Sequence, residues 1–415
     1  MKTHNLIKRI IIGILTLFVS VIVGYLLLVL VYCIPVEPMY DHMVESCDIF
    51  EKEGTYPKML WNYNSRLDNF SDALMLMMAS FRDDDSAWKA ALNGKMYLGA
   101  KPDEIFIDLF KNGHTNQYEY DYMRYWHGYQ IYLKPLAYLM SLHGIRIVMI
   151  LFQLLLVGIL AYQSYRYDRK LLIPIAGLWI FLNPIATTMS IQINTVTTVT
   201  LITLIMVIYF CTKRDRVKTI SWDILFLLDG CAIGYFCVLS YPLLAWGAPL
   251  VLWYYFNADD LKKNLLEAIE LSGFWGVGFA GMWGAKWILG TLITGTDIIG
   301  DALSHVSEWS SSEMSRGRMY FEALLRNVGA AVQISVVIYV LVLIVQIIRL
   351  LKHNKYEFKT YIIYILIIIA PFVWYFVTVS HAYVHYWFAY RNMGMCVLAL
   401  NLILLKMQGC GNVYN

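Results

Sequence analysis

The sequence predicts an all-α polytopic membrane protein: about ten transmembrane helices, with a long first extracytoplasmic loop that contains membrane-lying amphipathic helices. Three observations predict it. The 415 residues are 59% hydrophobic and 15% charged, with mean hydropathy +0.54, whereas soluble domains carry about 25% charge. Apolar runs approaching the roughly 20 residues needed to cross a bilayer recur along the chain. Lys and Arg fall in alternate short loops between those runs, as orientation in a membrane requires.

The runs are 10–33, 144–162, 171–189, 194–211, 224–240, 242–256, 271–295, 327–348, 360–379 and 393–407. The first is too long for a signal-peptide core, and Cys33-Ile34-Pro35-Val36-Glu37 offers no small-residue cleavage site, so it reads as an uncleaved anchor. Lys8 and Arg9 precede it, and Arg166, Arg169 and Lys170 follow the second run. Lys213, Arg214, Arg216 and Lys218 follow the fourth, Lys262 and Lys263 the sixth, and Arg349, Lys352, Lys355 and Lys359 the eighth. All share one side only if there are ten spans and both termini are cytoplasmic. The parts are then 1–33 (tail and first helix), the loop 34–143, helices two to seven over 144–295, a loop 296–326, and helices eight to ten over 327–415 with a short outer loop 380–392. In the seventh run Gly276, Ala280 and Gly284 form a small-residue face suited to close helix packing.

The loop 34–143 holds 16 acidic and 10 basic residues and is well solvated. Within it, 67–81 (LDNFSDALMLMMASF) opens on a capping pattern and continues as an apolar helix too short to span, expected to lie on the outer membrane face. Segments 86–98 and 103–111 are similar amphipathic stretches, and 118–136 is a dense run of Tyr with Trp126. A net charge of +3 does not argue for nucleic acid. No phosphate-binding Gly loop, zinc-ligand spacing, nucleophile elbow or dinucleotide motif occurs, which disfavours nucleotide-driven transport and soluble hydrolase chemistry.

Segments SRLDNFSDALML (65–76), RYWHGYQIYLKPL (124–136) and HYWFAYRNM (385–393), on this topology, resemble the C-type (GT-C) integral-membrane glycosyltransferases. The resemblance implies a polyprenyl-phosphate-sugar donor and an acidic base in the first outer loop. Many relatives carry their acidic motif just after the first span, where this chain has Glu37 and Asp41, so the identity of the base stays open between loop carboxylates. The implied partners are the lipid-linked donor, the bilayer, and a glycan, lipid or protein acceptor, with no nucleic acid. The implied place is a cell membrane, crossed many times. The sequence does not speak to oligomeric state.

A base needs a carboxylate within reach of the acceptor hydroxyl. Asp68 leads, at the boundary of loop and helix, although it is equally placed to cap 70–81 with Asp72 favouring the helix N-terminus. Asp41 is second. Asp83-Asp84-Asp85 reads as a solvated turn rather than a cation site; no cofactor is required, and a divalent cation stays open. His381, His385 and Arg391 in the last outer loop, with Lys286 inside a span, are expected to hold the donor phosphate, against the alternative of snorkelling cations in an aromatic belt. Trp126, His127 and Tyr129 suit a sugar platform, or else pack the loop. Arg316 and Arg318 are a weaker anion or lid signal, and Asp229 has no assigned partner. The competing functions are a lipid-linked oligosaccharide flippase, disfavoured because polar residues gather outside the membrane without inverted repeats, and a surface-polysaccharide polymerase or ligase, disfavoured because the large loop comes early.

Overall fold

The computed structural model describes residues 2–61, 63–82, 85–97, 99, 101–113, 119–212, 221–310, 314–332, 342, 345 and 358–410. They form an all-α membrane protein with one small two-stranded sheet. Five helical stretches among them are long and apolar enough to cross a bilayer: Ile7–Tyr32, Leu142–Tyr167, Ile191–Thr212, Lys359–Val377 and Tyr386–Met407. Phe18, Leu30, Leu151 and Leu155 on two of these are more than half exposed. An apolar surface of that kind is at home in hydrocarbon, where helices satisfy their own backbone.

In chain order α1 (Lys2–Tyr32) is followed by α2 (Met39–Glu53), α3 (Asn69–Ser80), α4 (Ala87–Asn93), α5 (Pro102–Phe110) and α6 (Gln130–Leu139). Strands β1 (Lys95–Tyr97) and β2 (Glu119–Asp121) pair antiparallel, Lys95 opposite Asp121. Next come α7 (Leu142–Tyr167), α8 (Leu172–Leu182), α9 (Pro184–Met189), α10 (Ile191–Thr212), α11 (Trp222–Phe236), α12 (Leu243–Asn257) and α13 (Leu261–Thr294). Then follow α14 (Ile298–Ser310), α15 (Arg316–Ala331), α16 (Ile362–Val377), α17 (Val379–Val384), α18 (Tyr386–Ala389) and α19 (Gly394–Cys410). Most of the expected run 327–348, and the basic residues at 213–218 and 349–355, lie outside the described residues. Arg9 pairs with Asp223 and Glu270, tying α1 to α11 and α13 at one end of the bundle.

Three expectations need correction. Helix α3 does not lie on a membrane face: Asn69, Asp72, Ala73 and Met75 through Ala79 are all buried. Its methionines join Met39, Met43, Phe50, Phe106 and Leu133 in a second core beneath the loop. Flexible Met side chains fill such an irregular junction well, and each fully buried apolar side chain contributes about 1.5–3 kcal/mol. The run 171–189 is not continuous either. Asn183 adopts a left-handed conformation (φ 63°) between α8 and α9. Its side chain accepts from the Ala186 N–H at 3.2 Å and Pro184 takes the first helical position, a stop and restart that Asn and Pro both favour.

The close-packing face of α13 is also not Gly276/Ala280/Gly284. A Cβ at Gly276 or Gly284 would meet nothing within 4 Å, whereas one at Gly278 would lie 2.2 Å from the Leu227 carbonyl and one at Gly230 2.1 Å from that of Trp275. Helices α11 and α13 thus cross backbone to backbone through Gly230 and Gly278. Gly230→Ala should lower stability by about 1–3 kcal/mol or more by forcing them apart, seen as a lower unfolding midpoint in detergent. Gly284→Ala should leave the midpoint where it is, and equal midpoints for both variants would refute the crossing.

Candidate functional site

Where α3 and α10 begin, and where the 380–392 segment folds back on them, the described residues enclose a cavity of about 330 Å³, of a size suited to a small-molecule site. Asp68 is the one acidic residue among those lining it. It is 1% exposed and caps α3, its Oδ1 accepting from the Ser71 N–H at 3.2 Å and its Oδ2 from the Ser71 hydroxyl at 2.8 Å. Its own N–H donates to Ser190 Oγ at 3.3 Å. Burial pushes the Asp68 carboxyl above the usual range, opposed by the two Ser71 bonds and by the charges of Arg66 and Arg391. The two sequence readings of Asp68, cap and cavity carboxylate, therefore describe one residue in one geometry.

Across the cavity stand His381 and His385, ring centres 4.9 Å apart, with His385 stacked on Phe388 at 5.1 Å. Burial lowers both, His381 well below the ordinary histidine value and His385 to about 4. Burial favours the uncharged form of both rings, and a neutral imidazole offers one donor and one acceptor, enough to meet a phosphate oxygen or a sugar hydroxyl. Tyr56, Tyr122, Tyr125 and Trp387 supply aromatic wall. Tyr129 lines the cavity too, oriented from behind by His127. His127 sits in a left-handed turn (φ 54°); its Nε2–H donates to the Tyr122 carbonyl at 2.7 Å, which leaves Nδ1 to accept from Tyr129 Oη at 2.9 Å.

A second chamber of about 380 Å³ adjoins the first and is mostly apolar, walled by Phe279, Trp283, Trp287, Trp374 and Val377. Arg124, Tyr125 and Leu239 line both.

The other sequence candidates stand elsewhere. Asp41 is exposed in the first turn of α2. Trp126 is 1% exposed, its Nε1–H donating to the Met282 carbonyl at 2.6 Å, which holds the loop against α13. Lys286 is fully buried and donates to the Leu92 carbonyl at 2.6 Å, at the C-terminal end of α4, where a cation meets the helix's negative pole. Arg391 is fully buried as well, donating to the carbonyls of Leu182 at 2.9 Å and Trp387 at 3.0 Å. Both cations are engaged by backbone, and neither is among the residues lining these two cavities. Asp229 accepts from Thr203 and from Trp275 Nε1–H. Arg316 lines the second chamber, donating to the Phe376 carbonyl at 3.0 Å, while Arg318 is bonded to Glu322 on the surface.

Asp83 and Asp84 lie outside the described residues, and Asp85 accepts from Asn93 at 2.9 Å and Lys95 at 3.1 Å. Among the described residues no three His, Cys, Asp or Glu side chains gather into a cation site. Sequence reasoning missed Tyr56, Gln192 and, above all, Arg124. The last carried a signal, since it opens the aromatic segment RYWHGYQ; Gln192, in a run of Ile and Thr, carried none. No family model, curated protein or solved structure matches the chain.

Proposed function

We propose that this chain is a membrane glycosyltransferase that moves a hexosyl or pentosyl group from a polyprenyl-phosphate donor to a cell-surface glycan, lipid or protein. The observation that carries the reading is the meeting in one cavity of a single buried carboxylate, two imidazoles and aromatic walls, beside an apolar chamber. The reading takes ten spans with both termini cytoplasmic, and so sets the segments 34–143, 296–326 and 380–392 on the outer face.

Asp68 takes the proton of the acceptor hydroxyl as its oxygen attacks the anomeric carbon. The bond from that carbon to the phosphate oxygen breaks, polyprenyl phosphate leaves with the electron pair, and the configuration inverts. His381 and His385 hydrogen-bond sugar hydroxyls, and the tyrosine and tryptophan rings lie against the sugar's apolar faces. The energy comes from the donor's phosphoester bond, so no nucleotide is needed on that face. The reading of a flippase has less behind it, because Asp229, an acidic residue within a span, is bonded to Thr203 and Trp275 rather than facing either cavity.

The test is purified protein in nanodiscs with a panel of polyprenyl-phosphate sugars, following release of polyprenyl phosphate together with a new glycosidic product. Release from at least one donor is expected. Movement of intact donor across the bilayer with no cleavage would replace this reading with the transporter.

A further inference from the structure

The cations near the cavities differ in how firmly they are held. Arg391 and Lys286 are buried and donate to backbone carbonyls, and Arg146 is 5% exposed and bonded to Glu53 and Asn69. Arg124 differs from these. Its side chain is 14% exposed, and its acidic partner, Asp301 of α14 at 3.2 Å, is 39% exposed. Water reaches the carboxylate end of this pair and screens it, so Asp301 is an exchangeable partner. Tyr120 Oη accepts from the same guanidinium nitrogen at 3.2 Å, and the guanidinium lies 4.6 Å over the Tyr122 ring, which fixes its direction. Among the described residues lining the two cavities, Arg124 is the one cation common to both.

We infer that Arg124 anchors the phosphate of an amphiphilic anion whose single apolar chain fills the chamber of Trp283, Trp287 and Trp374, and that this phosphate displaces Asp301. The inference rests on the transferase reading and adds to it the residue that holds the donor and the group that competes with it. A guanidinium grips a phosphate through paired N–H donors more strongly than it grips a solvated carboxylate. Charge complementarity selects the occupant: an apolar chamber with an arginine at its junction toward Asp68 fits a chain with an anionic head, reactive end toward the carboxylate. Asp301 serves as a placeholder that keeps Arg124 oriented while the site is empty.

The experiment measures binding of a long-chain polyprenyl phosphate to the full chain in nanodiscs, with the corresponding polyprenol, inorganic phosphate and phosphatidic acid as comparisons. Arg124→Ala should weaken polyprenyl phosphate binding by about tenfold to a hundredfold, the range for a hydrogen bond to a charged group, and Arg124→Lys should restore part of it. Asp301→Asn should tighten binding several-fold. That increase is the decisive sign, because a merely structural ion pair would give unchanged or weaker binding when broken. Unfolding midpoints of each variant separate misfolding from lost affinity. Equal binding of the polyprenol would overturn the anchor; equal binding of inorganic phosphate or of phosphatidic acid would overturn the single-chain chamber. Unchanged affinity in Arg124→Ala, with sugar transfer intact in the wild type, would overturn this inference and leave the transferase reading in place.

Discussion

Asp68→Asn should reduce sugar transfer by about a hundredfold or more while leaving the unfolding midpoint in detergent unchanged. General-base catalysis by a positioned side chain contributes about 10²–10⁴-fold, and an amide cannot supply it. The geometry makes this substitution unusually clean. Asp68 caps α3 through Oδ1 on the Ser71 N–H, and Asn caps a helix about as well as Asp, so the cap survives while the base is lost. Asp68→Ala should instead lose both, adding a stability cost of about 1 kcal/mol. A pH profile gives the same residue a second signature. Burial raises the Asp68 carboxyl, and a base acts only when ionised, so transfer should fall as the pH drops through a value above the usual carboxylate range. That limb should vanish from the residual rate of Asp68→Asn. Wild-type transfer by the amide variant would remove Asp68 from the mechanism.

Arg146→Ala should destabilise the fold by about 3–5 kcal/mol, the usual cost of taking one partner from a buried ion pair. Arg146 is 5% exposed, with one guanidinium nitrogen at 2.9 Å from Glu53 Oε1 and 3.0 Å from Oε2. The other donates to Asn69 Oδ1 at 2.9 Å and lies 3.9 Å from Asp72 Oδ2. Asp72, fully buried, does not face the cavity: its Oδ1 accepts from the Ile191 N–H at 2.9 Å and from the Ser190 hydroxyl at 3.2 Å, capping α10 from a distant helix. One arginine therefore holds together α2, α3 and α7 and steadies the cap of α10. Burial pushes Asp72 to about 8 even with Arg146 beside it. A carboxyl raised in the folded state loses stability as pH rises toward that value, because the unfolded chain ionises first. Without Arg146 the carboxyl rises further, so the deficit should be larger at alkaline than at mildly acidic pH. Adding Asp72→Asn should recover part of it, as expected for groups in one network. A midpoint equal to wild type at both pH values would refute the network.

Some of this was legible in the residues. Apolar runs near spanning length marked helices, because a bilayer-crossing backbone has few alternatives, and the capping pattern at Asp68 marked the start of α3. The pattern failed where burial came from other protein rather than from lipid. An apolar helix of this length looks the same on a membrane face and in a loop core, so the location of α3 was not readable. The run 171–189 hid its break because Asn and Pro are tolerated within such runs, and only the left-handed backbone at Asn183 shows that they end one helix and begin another.

The site divided in the same way. Asp68, His381, His385 and Tyr129 were singled out by residue type, and they meet around one cavity. Arg391 and Lys286 were singled out by their charge and their depth in the membrane, and both are buried and donate to backbone carbonyls. Composition and periodicity are local properties, enough to establish that this chain is helical and belongs in a membrane, and which polar residues are costly to bury. Whether a buried charge faces a cavity or a carbonyl depends on contacts between residues far apart in sequence, such as Arg391 with Leu182 and Lys286 with Leu92. Arg124 carried in sequence only its place at the head of an aromatic segment, and it became the candidate anchor because it lines both cavities and α14 brings it a partly exposed carboxylate.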